Sequence, residues 1–225
     1  MIVNPFGNFP LNDDWSFALT VKHLIEDGDY RPLGWASMPL ITNIVWGSLF
    51  TIPAGFSYDA LRLSTLVMSL LGIWATYFLS RELGLPRFFS LVSAGVVGFN
   101  PVYYALSNTF MTDVPFTSLT VIASVFFVKH LKDGDGWSLA LGTTIIVIAT
   151  LSRQLAVALP MGFIVAIILK EGINRQSVLR AATPFVLCVF SLFIFQKWLQ
   201  TSGRLPALYH AMSDKLTVAL KNLEN

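Results

Sequence analysis

Apolar runs of nearly bilayer length constrain this chain more than any other feature. A hydrocarbon core ~30 Å thick takes about 20 apolar helical residues to cross. Ala60 to Ser80 meets that length and ends at Arg81-Glu82. Phe88 to Ser107 follows, with Asn100-Pro101 placed to kink or break the helix near its end. Val114 to Val128 is shorter and leads into Lys129. Trp137 to Leu151 and Leu155 to Leu169 are parted only by Ser152-Arg153-Gln154, and Ala181 to Leu199 is the last run. Pro39 to Phe56 is also apolar, but Asn43, Pro39 and Pro53 make it a poorer span, read as interfacial or half-inserted. Only 12% of residues are charged, against about 25% in soluble domains. The mean hydropathy of +0.64 agrees. These runs predict an all-α fold, a polytopic transmembrane helical bundle.

The flanks differ in character. Asp13, Asp14, Glu26, Asp27 and Asp29 crowd the first 37 residues, and Phe17, Val21, Leu24 and Ile25 recur at a helical period. That pattern predicts an amphipathic helix on a membrane surface. Leu208, Met212, Leu216 and Leu220 predict a second surface helix in the tail. The division is one transmembrane domain over 1–225: an acidic loop and interfacial helices over 1–56, spanning helices over 57–199, and a tail over 200–225. Met1 to Asp14 has neither a basic nor an apolar leader segment, so no signal peptide is read there.

Loop charges orient the bundle. Arg81, Arg87, Lys129, Lys132, Lys170, Arg175 and Arg180 fall in alternate loops, and the intervening loops at 107–113 and 152–154 hold only Arg153. The positive-inside rule places the seven in the cytoplasm. The N-terminal acids, the 107–113 loop and the Arg153 turn then share the outer face, with Lys197, Arg204, Lys215 and Lys221 of the tail as a countercurrent. A net charge of +2 is too small to suggest a nucleic-acid partner, and no Lys/Arg cluster with interleaved aromatics points to one. The single cysteine, Cys188, cannot form an internal disulfide and has no metal-ligand spacing.

Three groups on that face could carry chemistry. Asn12-Asp13-Asp14-Trp15 holds two carboxylates where a helix cap needs one. Beyond capping, one could accept a proton while the other orients a hydroxyl or binds a cation. Met111-Thr112-Asp113-Val114-Pro115-Phe116 is either another cap, with proline in the first turn, or a carboxylate held at the membrane edge. Arg153 sits between runs of 15 residues, ~22 Å long at 1.5 Å per residue, so its turn should be recessed. There it either snorkels to headgroups or meets an acid or an anionic ligand such as a lipid phosphate. Arg62 reads as an interfacial anchor, His23 as lying on the polar side of the surface helix, and His130 as part of a cytoplasmic loop.

The elements, in order, resemble the GT-C glycosyltransferases that use polyprenyl-phosphate sugars, the group of protein O-mannosyltransferases and lipid A aminoarabinose transferases. Over about residues 8 to 170, Asn12-Asp13-Asp14-Trp15 resembles the family's first acidic motif, and Ser37-Met38-Pro39-Leu40 its Pro-Pro-Leu segment with one proline missing. Ala60-Leu61-Arg62-Leu63 and Ser80-Arg81-Glu82-Leu83 resemble the ends of the next span. Asn100-Pro101 with Met111-Thr112-Asp113 resembles the second acidic site, and Ser152-Arg153-Gln154 before Pro160 the basic site that meets the lipid phosphate.

The resemblance implies a GT-C bundle in the inner or plasma membrane. It implies transfer of a sugar from a polyprenyl-phosphate donor to a lipid, glycan or protein acceptor on the extracytoplasmic side, with inversion at the anomeric carbon. Asp13 and Asp14 would be catalytic, Arg153 and Gln154 would bind the donor phosphate, and Asp113 would hold Mg or Mn or position Arg153. Relatives carry a span before the acidic loop and more chain after the bundle, so a shortened copy is expected. The alternative is a non-catalytic transport or accessory protein with a structural Asp113–Arg153 pair. Midplane charges and internal repeats would favour it, and neither is seen in the sequence.

Overall fold

Several helix starts and stops in the bundle have a local cause. The computed structural model describes residues 7–11, 13–36, 40–53 and 55–207; Asn12, Ser37-Met38-Pro39 and the helix expected over Leu208 to Leu220 lie outside them. Among the described residues the fold is all-helical, with no strand. Helix α1 covers Asp14–Asp27 and ends at Gly28 in the left-handed region, and α2 covers Ile41–Thr51. In α3, Tyr58–Glu82, the Ser57 hydroxyl accepts from the Asp59 amide at the start, and Arg81 lies in the last turn. Both match the helix dipole and its unpaired termini. The break foreseen at Asn100-Pro101 separates α4, Arg87–Gly98, from α5, Pro101–Ser107, by a bend of 62°. The Asn100 side chain caps α5 through the Val102 and Tyr103 amides, each at 3.0 Å. Helix α6, Asp113–Asp133, stops at Gly134; α7 is Gly136–Thr150 and α8 Ala158–Glu171, with a 3-10 turn over Gln154–Val157 between them. The last, α9, covers Arg175–Thr201 and opens with a capping box of Asn174 and Ser177.

Length and composition suit a bilayer. Four helical stretches are long and apolar enough to cross (α3, α6, Gln154–Glu171 and α9), and a fifth if α4 and α5 form one bent span. Helix α7, with 15 residues, is shorter. Leu70, Trp74 and Phe78 of α3, Phe88 and Val96 of α4, and Phe190 and Phe193 of α9 are exposed, as lipid-facing residues are. Inside, Met68, Leu119, Phe127, Ile146, Phe163 and Ile167 form a core shared by α3, α6, α7 and α8, with Phe127 and Phe163 stacked at 4.4 Å. Two small residues set helix spacing. A Cβ on Gly72 would collide with Ser118 and Tyr103, and one on Gly142 would meet Phe127 at 2.9 Å.

The Lys/Arg-rich loops gather at one end. Lys132 bonds Glu82 at 3.0 Å, Arg180 lies 3.5 Å from Glu171, and Lys170 donates to the Leu131 carbonyl. At the other end α1 lies across the bundle. Its Asp14 accepts from the Phe110 amide just before α6, and beyond its C-terminus Asp29 accepts from Arg204 beyond α9 at 2.7 Å. The face carrying Phe17, Ala18 and Val21 is buried in a second core with Leu40, Ile44, Leu61, Phe110 and Leu199. The apolar face foreseen for a membrane surface is thus covered by protein.

Candidate active site

Two helix ends and one interrupted span build the site. Helix α6 opens at Thr112, whose side chain makes no cap bond, so Asp113 stands in the first turn with Pro115 behind it. Proline is favoured there because its missing N–H is one the helix could not pair. Across from it the chain leaves α7 and turns extended at Arg153, with φ −142° and ψ 129°. Helix α2 pins this turn. The buried Ser152 hydroxyl donates to Asn43 Oδ1 at 2.5 Å, and the Thr42 hydroxyl donates to the Ile148 carbonyl at 2.6 Å. Held so, Arg153 donates through Nη1 to Asp113 Oδ1 at 2.6 Å, 40 residues away in sequence.

The two N-terminal carboxylates have different surroundings. Asp13 occupies the N-cap position of α1, yet its side chain makes no cap bond and is exposed. It lines a cavity of about 380 Å³ with Trp15, Ser16, Phe17, Trp35, Met111 and Arg153. Asp14 is fully buried. Its Oδ1 accepts from the Leu11 amide at 2.8 Å and its Oδ2 from the Phe110 amide at 3.3 Å. Burial pushes its pKa above the ordinary carboxylate value, against the pull of those two amides and of Arg62. Asp14 therefore ties the N-terminal segment to the approach of α6, while Asp13 faces open space.

Asp113 borders a second cavity, about 400 Å³, with Val96, Val97, Asn100, Tyr103 and Thr117. The ion pair thus stands between two cavities, Arg153 toward one and Asp113 toward the other. Gln154 is exposed at the start of the 3-10 turn. Among the described residues no three His, Cys, Asp or Glu side chains gather to hold a metal ion, and Asp113 Oδ1 already receives a guanidinium. These side chains do not make a protein cage for the Mg or Mn expected at Asp113.

Three features escaped the sequence. Trp35 lies on the cavity wall with no motif around it. Asn43, read only as weakening a span, holds the Arg153 turn. Arg62, read as a bilayer anchor, instead clasps the N-terminal segment. It donates to the Gly7 carbonyl at 2.7 Å and to the Phe9 carbonyl, and stacks over the Phe9 ring at 5.3 Å. An arginine at a span's start, with an acid three residues before it, was the signal the sequence carried.

Among known families, the model described as dolichyl-phosphate-mannose-protein mannosyltransferase matches residues 39–199, well over half of the chain. The matched stretch includes Asp113 and Arg153 and begins after Asp13, Asp14 and both cavity tryptophans. No curated protein and no solved structure matches the chain.

Proposed function

We propose a lipid-linked sugar transfer for this chain, which belongs to the dolichyl-phosphate-mannose-protein mannosyltransferase family. The family carries the class, a membrane glycosyltransferase using a polyprenyl-phosphate sugar. The residue roles are our reading of the geometry. The observation that carries it is Arg153, held by Asp113 at 2.6 Å, on the wall of the cavity that Asp13 also lines.

Arg153 meets the donor phosphate, whose oxygens suit a guanidinium fork, and Gln154 beside it contributes an amide donor. Asp113 holds Arg153 in place until the phosphate arrives. The acceptor hydroxyl oxygen attacks the anomeric carbon as the bond from that carbon to the phosphate oxygen breaks. The electron pair of that bond leaves with polyprenyl phosphate, and Arg153 counters the growing charge. The hydroxyl proton passes to the Asp13 carboxylate, the exposed member of the acid pair. Attack opposite the leaving phosphate inverts the anomeric carbon. Asp14 positions Asp13 by fixing the start of α1. The Lys/Arg loops at the far end support an extracytoplasmic site by the positive-inside rule. The division into an acidic segment over 1–56, spans over 57–199 and a tail beyond belongs to this same reading.

The rival is a structural ion pair in a non-catalytic membrane protein. With the two side chains 28% and 32% exposed, such a bridge contributes only about 0–1 kcal/mol, a small return for an arginine at a span's edge. The test supplies polyprenyl-phosphate sugar and an acceptor mixture and follows release of polyprenyl phosphate. Asp13→Asn is expected to slow release ~10²- to 10⁴-fold, the usual share of a general base, with polyprenyl phosphate still bound. Release at the wild-type rate would remove Asp13 from the chemistry.

A further inference from the structure

The acceptor side of the Asp13 cavity has a composition of its own. Two indoles, Trp15 and Trp35, line it together with the Asp13 carboxylate and the Arg153 guanidinium. Trp35 is 72% exposed and Trp15 37% exposed. Burial in a core explains neither, and although Trp is common at membrane interfaces, these two share one cavity wall with the Asp13 and Arg153 charges. A large aromatic beside charged hydrogen-bonding groups suits a ligand with one apolar face and a polar edge. A pyranose ring is such a ligand: its C–H face stacks on an indole while its hydroxyls donate to a carboxylate. The volume is also selective. At about 380 Å³ the cavity lies at the small end of ligand pockets, roughly 300–1,000 Å³, enough for one or two rings. A peptide would instead draw on main-chain pairing at a sheet edge or on an apolar helix groove. The described residues contain no strand, and this wall is charged.

We propose that the acceptor bound at Trp15, Trp35 and Asp13 is a saccharide, the headgroup of a glycan or glycolipid rather than a polypeptide segment. This rests on the sugar-transfer reading above and narrows it. The ring stacks on indole and presents one hydroxyl to Asp13, and that oxygen forms the new bond to the anomeric carbon. The donor sugar enters from the Arg153 side, so donor and acceptor meet across the cavity between Asp13 and Arg153.

The experiment uses the full chain in nanodiscs free of glycoside detergents. Methyl glycosides of glucose, mannose and N-acetylglucosamine are titrated, and a Ser/Thr-rich hexapeptide separately, by saturation-transfer NMR and indole fluorescence. At least one glycoside is expected to bind, and Trp35→Ala to weaken it about tenfold, the scale of one aromatic contact, with Trp35→Phe close to wild type. Polyprenyl phosphate binding, measured on the same samples, should be unchanged in Trp35→Ala, showing that the protein is folded. Saturable binding of the hexapeptide alone, no glycoside binding, or glycoside binding indifferent to both Trp15→Ala and Trp35→Ala would overturn the proposal. Failure of the underlying reading looks different: polyprenyl phosphate binding would then be indifferent to Arg153→Ala, whatever the glycosides do.

Discussion

Four helix starts, two at each end of the bundle, use polar residues in opposite ways. At the Lys/Arg-rich end, Asp135 closes α7 by accepting from the Trp137 and Ser138 amides and the Ser138 hydroxyl. Those bonds, the hydroxyl's foremost, hold its carboxyl below the ordinary value. Asn174 closes α9 with a capping box. At the other end, α1 and α6 start with Asp13 and Asp113 close by, and no side chain caps either helix. Asp13 faces a cavity and Asp113 faces Arg153. A side-chain cap stabilises a helix by about 1 kcal/mol; Asp13 holds the N-cap position of α1 without making one, and Asp113, one residue past the N-cap Thr112, bonds Arg153 instead. The proposed roles follow this difference: the capping residues at one end are assigned structural tasks, and Asp13 and Asp113 at the other are assigned chemical ones.

The comparison breaks most visibly under paired substitutions at the two ends. Arg153→Ala is expected to lower turnover ~10²- to 10³-fold, the scale of a lost charge-stabilising donor. Lys132→Ala, which removes a bridge to Glu82, should leave turnover within about twofold and stability within ~1 kcal/mol. Comparable losses from both would erase the distinction between the ends.

Asp14 sharpens it, being an acid at the same end as Asp13 and Asp113 but buried and bonded to two backbone amides. Asp14→Ala strands the Leu11 and Phe110 amides, and a buried unmade hydrogen bond costs ~1–3 kcal/mol. Its thermal midpoint should fall, and turnover with it, whereas Asp13→Asn should leave the midpoint in place. The pH dependence has a definite sign. Burial raises the Asp14 pKa in the folded chain above its unfolded value near 3.8. Its contribution to stability is therefore full below that value and is lost as pH rises through the folded pKa. The midpoint of the wild type relative to Asp14→Asn should rise as pH is lowered through that window. A constant difference would mean that Asp14 titrates normally.

Asp135→Ala gives the smallest effect, a modest fall in the unfolding midpoint with full transfer activity. A loss of transfer with an unchanged midpoint would reverse the roles assigned to the two ends.

The sequence held much of this, unevenly. Apolar run length placed α3, α6 and α9, and Asn100-Pro101 placed the broken span, because the causes are local. It also brought Asp113 and Arg153 to one end, since the order of spans and loops decides which face a turn occupies. Local pattern could not divide the labour between Asp13 and Asp14. Adjacent residues share a motif, and only the fold decides that Phe110, 96 residues away, lends its amide to the second. Trp35, the Asn43–Ser152 bond and the Arg62 clasp were hidden for the same reason: each is a contact across long stretches of chain. The apolar stripe of α1 was read correctly as a helix face, but periodicity does not say whether lipid or protein covers it.

The central claim, that the Arg153 end holds the donor phosphate, is tested most directly by the affinity for polyprenyl phosphate without sugar. It should be measured in nanodiscs for the wild type, Arg153→Lys and Arg153→Ala. Lysine keeps the charge and loses the fork, while alanine leaves an anion unpaired at membrane depth. The account predicts an ordered loss, tightest for the wild type, intermediate for lysine and weakest for alanine. Equal affinity in all three would contradict it and return Arg153 to a structural partner of Asp113.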